Sequence, residues 1–288
     1  MKLVAKNERV VKGGQLQKKF DNEAPRRHAE LRSVLQRLAR NNAVVVMVTN
    51  WGQSPLLWNF GCRADFRGIP WKNFTFVYAL DADIQDVLQE RGVASWRPNK
   101  VNIRNVSKKF GDSQYAKTVF WQIAMVHDIL SMGYDVLAQD VDLVWRKDPL
   151  KFFAEADPDT DMFWMNDPAS LQQPLYINGG FVYVRNNART RAFWTEAYNH
   201  GHSHNSQQSI LRPLFVHHYF NNGLRLHVLD NRFANGPLLG IKKHEVPSDW
   251  IVAHASWTHN MTDKVAKFRT LGEWDEHCDH GIGKEAWW

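Results

Sequence analysis

Asp140-Val141-Asp142 sets two carboxylates one residue apart, after the segment Tyr134 to Ala138 and before Leu143-Val144-Trp145. Acids at the exit of a buried strand lie where hard cations and phosphates are held together. Two carboxylates are too few to enclose a divalent ion, so a cation held by them keeps positions open for the oxygens of a diphosphate. The spacing points to metal-dependent chemistry on a nucleotide diphosphate. A lone Asp-x-Asp is also a common solvated turn or helix cap; apolar residues on both sides favour a sheet-edge site.

The elements that must position these acids follow from periodicity. Leu31, Val34, Leu35 and Leu38 recur at helical spacing, and Asn41-Asn42 ends that helix before the apolar run Ala43 to Thr49, read as a buried first strand. Phe74 to Leu80 reads as a second strand ending at Asp81-Ala82-Asp83, followed by a helix from Ile84 to Glu90 that Gly92 closes. Val119, Ile123, Val126 and Leu130 line one face of a helix that starts at Ser113 and stops at Gly133, and the next strand runs into Asp140. This β-α-β rhythm predicts a mostly parallel sheet. Beyond Asp148-Pro149 the sequence predicts a strand over Met162 to Met165, a turn at Asn178-Gly179-Gly180, a strand from Phe181 to Arg185 and a helix from Ala188 to Tyr198. Short strands at Leu226 to Leu229 and Ile251 to His254 precede an irregular tail.

With 288 residues, 44% of them hydrophobic, the chain can bury a large core and is not disordered. Its net charge of +6 is local: residues 1 to 40 hold eleven Lys/Arg against four Asp/Glu, so the remainder sums to −1. The basic stretch reads as a solvated arm, or as a contact with another chain or an acidic surface, in preference to nucleic-acid binding. No apolar run is long enough to cross a bilayer, and Met1 to Phe20 lacks the apolar core of a signal peptide. Cys62 and Cys278, without partners at zinc-site spacing, read as free thiols.

The stretch GYDVLAQDVDLVWRKDP resembles the central motif of nucleotide-diphospho-sugar glycosyltransferases with the GT-A fold, and later segments agree in order. NGGFVYVRNN resembles the Asn-x-Gly-Phe block bordering the donor sugar, HNSQQSIL a block that usually ends in Asp-Gln, and RFANG a Phe-x-Asn-Gly turn. HASWTHNMTDKVAKF resembles a C-terminal His-x-Asn-Trp/Tyr block with a Lys ten residues after the His. Together they resemble glycosyltransferase family 77 over roughly residues 43 to 275.

The resemblance implies a Rossmann-like GT-A domain, with a mostly parallel central sheet flanked by helices and a small antiparallel addition on the C-terminal side. It would span residues 28 to 288 behind a basic arm of residues 1 to 27. The implied activity is metal-dependent transfer of a sugar, xylose or galactose favoured and arabinose also possible, from a UDP-sugar to a hydroxyl of a glycan or glycoprotein, with retention of configuration. Asp140, Asp142 and His254 would be the metal ligands, for Mn²⁺ or else Mg²⁺, with Val141 between them at the donor. Lys264 would contact the diphosphate, Thr49 and Asn50 would lie near the nucleotide, Asp83 near the base or ribose, and Lys117 near nucleotide or phosphate. Asn178, Gly179 and Gly180, with Gln207 and Gln208, would shape the sugar pocket. In two places the sequence departs from the family pattern: Gln207 stands for the usual Asp, and Asn260 for a Gly near the diphosphate.

An amide at 207 cannot be a carboxylate nucleophile. Asp167 is the carboxylate that could take that part. Two other readings stay open. DVDLV also satisfies the signature of haloacid-dehalogenase-like phosphatases, although that motif normally follows the first strand and no Gly-Asp-x-x-x-Asp follows here. A carbohydrate- or nucleotide-binding protein that kept the fold without turnover is the other. The expected location is cytoplasmic, including a host cytoplasm, or Golgi-lumenal where an anchor has been removed.

Overall fold

The computed structural model describes residues 2–99, 101–103, 113–167, 177–201, 207–240, 245–258 and 260–278, the side chains of 2–13, 16 and 113–117 excepted. In chain order the elements are α1 (Lys2–Leu38), β1 (Ala43–Thr49), α2 (Ser54–Phe66), β2 (Thr75–Ala79), α3 (Ala82–Glu90), β3 (Ala94–Trp96), α4 (Ser113–Ser131), β4 (Asp135–Gln139), β5 (Leu143–Trp145) and α5 (Pro149–Glu155). They continue with β6 (Met162–Asn166), β7 (Ile177–Val184), α6 (Ala188–His200), α7 (Gln207–Asn222), β8 (Leu226–Val228), β9 (Phe233–Ala234), α8 (Gly236–Leu239), β10 (Val252–His254) and α9 (Met261–Thr270).

All seven residues of β1 are buried because it lies inside the sheet and both of its faces are covered. Successive side chains go to opposite faces: Ala43, Val45 and Met47 join one core with α2, α3 and the second sheet, while Val44, Val46 and Val48 join the other with α1, α4, α6 and α7. The seven-stranded sheet has the order β3-β2-β1-β4-β7-β6-β8, and β7 alone runs against its neighbours. The expected addition is a three-stranded sheet, β5-β10-β9, in which β5 pairs antiparallel and β9 parallel with β10. This mixed α/β architecture is that of the GT-A fold.

Three expectations are corrected. Asn178-Gly179-Gly180 is not a turn: all three residues lie within β7, buried in the middle of the sheet, beside a shift of register between Trp164 and Met165. Cys62 and Cys278 are not free but form a disulfide, joining α2 to the C-terminal segment across 216 residues of sequence. The boundary expected between arm and domain at residues 27 and 28 falls inside the continuous helix α1, whose Phe20, Arg27, Leu31, Leu35 and Leu38 form a buried stripe. Phe20 meets Trp121 of α4 edge to face, with centroids 5.2 Å apart. Arg27 donates from Nε and Nη2 to Asp128 of the same helix at 2.8 and 2.7 Å.

Candidate active site

β4 ends at Gln139, and the two acids occupy the crossing from the large sheet to the small one. Asp140 N–H donates to the Gly180 carbonyl of β7 at 2.9 Å, and the Asp142 carbonyl accepts from Ala255 N–H, just past β10, at 2.9 Å. Both backbones are therefore pinned to different strands, and His254, the last residue of β10, is carried to the same point. Ligand atoms of Asp140, Asp142 and His254 all lie within 4.8 Å of one another. His254 Nε2 is 3.3 Å from Asp142 Oδ1 and 3.7 Å from Asp140 Oδ2.

Gly180 makes the convergence possible. A Cβ there would come within 2.4 Å of both Asp140 Oδ2 and His254 Cε1. Gly179 is constrained in the same way by Gln207, whose Oε1 would lie 2.4 Å from an added Cβ.

Charge in the cluster is divided unevenly. Burial works to raise the Asp142 carboxyl, but the Lys264 ammonium, which donates to its Oδ2, and His254 outweigh it and hold the group well below the usual range. Burial and the charge of Asp142 push Asp140 above its ordinary value. Gln122 of α4 donates to Asp140 Oδ1 at 2.6 Å, whereas no hydrogen bond reaches Oδ2 among the described residues. His254 Nδ1 is buried without a hydrogen-bond partner among the described residues. Two carboxylates and an imidazole, closely spaced and incompletely satisfied by protein donors, fit a divalent cation that accepts mixed oxygen and nitrogen ligation.

A second polar cluster adjoins the first through β7. Asp167, 3% exposed, accepts at Oδ1 from Asn178 Nδ2 (3.3 Å), Asn235 Nδ2 (3.0 Å) and Trp257 Nε1 (2.6 Å), and at Oδ2 from Gln208 Nε2 (3.2 Å). Asn178 Oδ1 in turn accepts from Gly180 N–H at 2.8 Å, which links this cluster to the glycine under the acid pair. Asn235 and Trp257 escape a reading of the sequence. Their signals were RFANG and the aromatic of the C-terminal block, but their common partner Asp167 is 68 and 90 residues away.

The remaining predicted residues divide between strand ends and helices. Thr49 and Asn50 are buried at the end of β1, where Asn50 caps a short turn by accepting from Gln53 N–H at 3.1 Å. Val141 is buried between the acids. Asp83 is half-buried in the first turn of α3, while its neighbour Asp81 is the residue that caps the helix and also accepts from Trp51 N–H at 2.7 Å. Lys117 falls in α4, but its side chain lies outside the described residues. Asn260 caps α9 by accepting from Asp263 N–H at 2.9 Å, a local use for the residue that replaces Gly.

The fold that carries this constellation at its strand ends is that of the GT-A nucleotide-sugar transferases. The model of the nucleotide-diphospho-sugar transferase family matches residues 72–268, so the chain belongs to that family. It is 27% identical over 182 residues to a β-arabinofuranosyltransferase, RAY1, of Arabidopsis thaliana, covering 59% of this chain and 32% of the relative. It is 30% identical over 139 residues to a UDP-galactose:fucoside α-3-galactosyltransferase of Dictyostelium discoideum, covering 47% and 21%. The chain thus spans a third or less of the length of these two relatives. Among solved structures, the bifunctional glycosyltransferase WbbM shares the fold at a TM-score of 0.50 and 9% identity, covering 78% of this chain and 49% of that one. Nucleotide-sugar transferases of this fold generally use a divalent metal.

Proposed function

We infer that the chain transfers one sugar from a UDP-sugar to a hydroxyl of a glycan or glycoprotein, with retention of configuration and dependence on Mn²⁺, or Mg²⁺ in its place. The observation that carries this reading is the convergence of Asp140, Asp142 and His254 from two sheets onto one point beside Lys264. These three residues would hold the cation, which when bound supplies Lewis-acid stabilisation of the leaving diphosphate. Lys264 offsets the negative charge that grows as the sugar–phosphate bond breaks. Thr49 and Asn50 border the nucleotide, and Asn178, Gly179, Gly180, Gln207 and Gln208 border the sugar. A galactose or xylose donor is favoured by the family resemblance, and the Dictyostelium relative, named for UDP-galactose, supports the first.

Asp167 acts in this reading as a positioning residue and not as a nucleophile. Three donors converge on its Oδ1 and Gln208 donates to its Oδ2, which fixes the carboxylate in place and draws down its nucleophilicity. With amides at 207 and 208, same-face attack follows, the leaving phosphate oxygen accepting the acceptor's proton.

Calorimetry tests the core of this. UDP affinity should rise with Mn²⁺ in the parent protein and lose that dependence in Asp142→Asn. UDP affinity indifferent to Mn²⁺ would sink the assignment. NMR of the first-formed product should show the donor's anomer; the opposite one refutes retention.

A further inference from the structure

At the other end of the sheet, where β1 and β2 begin and β5 ends, a cavity of about 840 Å³ opens between α1, α2 and α5. Its lining comes nearest the acid pair along β5 and β10, where Arg146 stands four residues after Asp142 and Ile251 three before His254. This size suits a nucleotide or an oligosaccharide better than a single small ion. Six cations line it: Arg37, Arg40, Arg67, Arg146, Lys147 and Lys151.

Two of the six are neutralised. Arg40 is paired with Asp148, and Arg67 donates twice to Glu273 at 2.7 and 2.8 Å. Arg146 donates to the Ser248 carbonyl at 2.6 Å, which satisfies one N–H and leaves its charge uncompensated. Arg37, Lys147 and Lys151 have no acidic partner among the described residues, and the only unpaired acid in the lining is Glu155. Four free cations thus face one free carboxylate, and three of them, Arg146, Lys147 and Lys151, belong to the part of the chain beyond residue 40 that is close to neutral as a whole. All four side chains are exposed, so each keeps donors available, and together they give the concavity a positive potential that attracts anions. Half-buried Phe152 and the buried ring of Phe74 supply apolar surface between the charges.

We propose that this cavity is a second, non-catalytic binding site for a ligand carrying several phosphate, sulfate or carboxylate groups. Among the described residues no hydrogen bond or ion pair joins its lining to Asp140, Asp142, His254 or Lys264. Arginine forks and lysine points in one concavity recognise oxyanions by charge and by bidentate hydrogen bonds.

Titration calorimetry in metal-free buffer, with inorganic tripolyphosphate and separately with a sulfated tetrasaccharide, tests the site. At least one probe should bind with a stoichiometry of one. Lys147→Glu/Lys151→Glu should weaken that binding at least tenfold; both side chains are exposed, and circular dichroism should show the fold unchanged. Asp142→Asn should leave it unaltered, which separates this site from the donor site. Tripolyphosphate alone makes it a phosphate site, the oligosaccharide alone an acidic-glycan site, and both support the shared chemistry. The proposal is overturned if neither probe binds, if binding survives the double charge reversal, or if it is lost instead on Lys18→Glu/Lys19→Glu, which assigns it to the amino-terminal helix.

Discussion

Asp128 and Asp140 are carboxylates of the same region, both near α4, and the protein treats them in opposite ways. Asp128 is closed. Its Oδ1 is approached by Arg27 Nη2 and His28 Nε2, each at 2.7 Å, and its Oδ2 accepts from Arg27 Nε at 2.8 Å and the Tyr78 hydroxyl at 2.7 Å. Burial alone would raise this carboxyl, but the hydrogen bonds of His28 and Arg27 overcome it and hold the group at about 2. Asp140 is open. About a third of its side chain meets solvent, one oxygen has only the Gln122 amide among the described residues, and the other faces His254 across 3.7 Å. Buried charge that is fully met by protein donors fixes structure, here the docking of α1. Charge left partly unmet at a strand end is a place for something else to bind.

The sharpest way to break this contrast is Asp128→Ala, which leaves the Arg27 guanidinium buried without its anion. A stability loss of about 3–5 kcal/mol is expected in denaturant titration, with Mn²⁺-dependent UDP affinity unchanged below the unfolding midpoint. Parent stability should carry the same signature in pH. Because the folded carboxyl titrates near 2 and the unfolded one near ~3.9, the contribution is present above pH ~4 and is lost as pH falls toward 2. That component amounts to about 2–3 kcal/mol and should vanish in the variant. If Asp128→Ala instead weakens the metal and spares stability, the two clusters have been assigned the wrong way round.

Gly180→Ala probes the open cluster with a smaller effect. The atoms nearest the new methyl belong to Asp140 and His254, so Mn²⁺ affinity should fall about 10- to 100-fold, as for lost ligand orientation. Isothermal titration checks it, and an unchanged affinity would show that the ligands need no close approach. Asp140→Asn should have the least effect and the opposite sign to Asp128→Ala. A carboxyl raised on folding opposes folding once ionised, so its removal should raise the midpoint of thermal unfolding in metal-free protein. A lower midpoint would mean that Asp140 is structurally satisfied after all.

Much of the central sheet was legible because its signals are local. The apolar run of β1 has the bounds Ala43–Thr49 read from its sequence, and the Asn41-Asn42 stop adopts φ of 49° and 66°. Among the strands of two or three residues, β8 and β10 were readable as short apolar runs, whereas β3, β5 and β9 were not; β5 finds its partner β10 more than 100 residues on. Helices α2, α7 and α9 were also missed, two of them having weak amphipathic patterns broken by Gly61 and Pro213. At the site the acid pair and His254 were readable as motif residues, whereas the pairing of Asn235 and Trp257 around Asp167 depends on contacts that only folding creates. Asn178-Gly179-Gly180 misled because glycine usually marks a break. Here the missing side chains make room for Asp140, His254 and Gln207, which come from three other segments.

The bridge between Cys62 and Cys278 makes the redox state of the surroundings a variable of this protein. Closed, it ties α2 to the segment following α9 and shortens the excursions of the unfolded chain; for a loop of 216 residues the chain-entropy model gives about 5 kcal/mol. Opened by a glutathione-rich cytosol, the same two elements are held by packing, by the Arg63 and Arg67 contacts to Glu273, and by Asn59, which donates to the Glu273 carbonyl at 3.1 Å and accepts from Asp275 N–H at 2.9 Å. The two sides of a secretory membrane would therefore hold the same sequence as two differently tethered molecules, separable by alkylation and mass before any sugar is transferred.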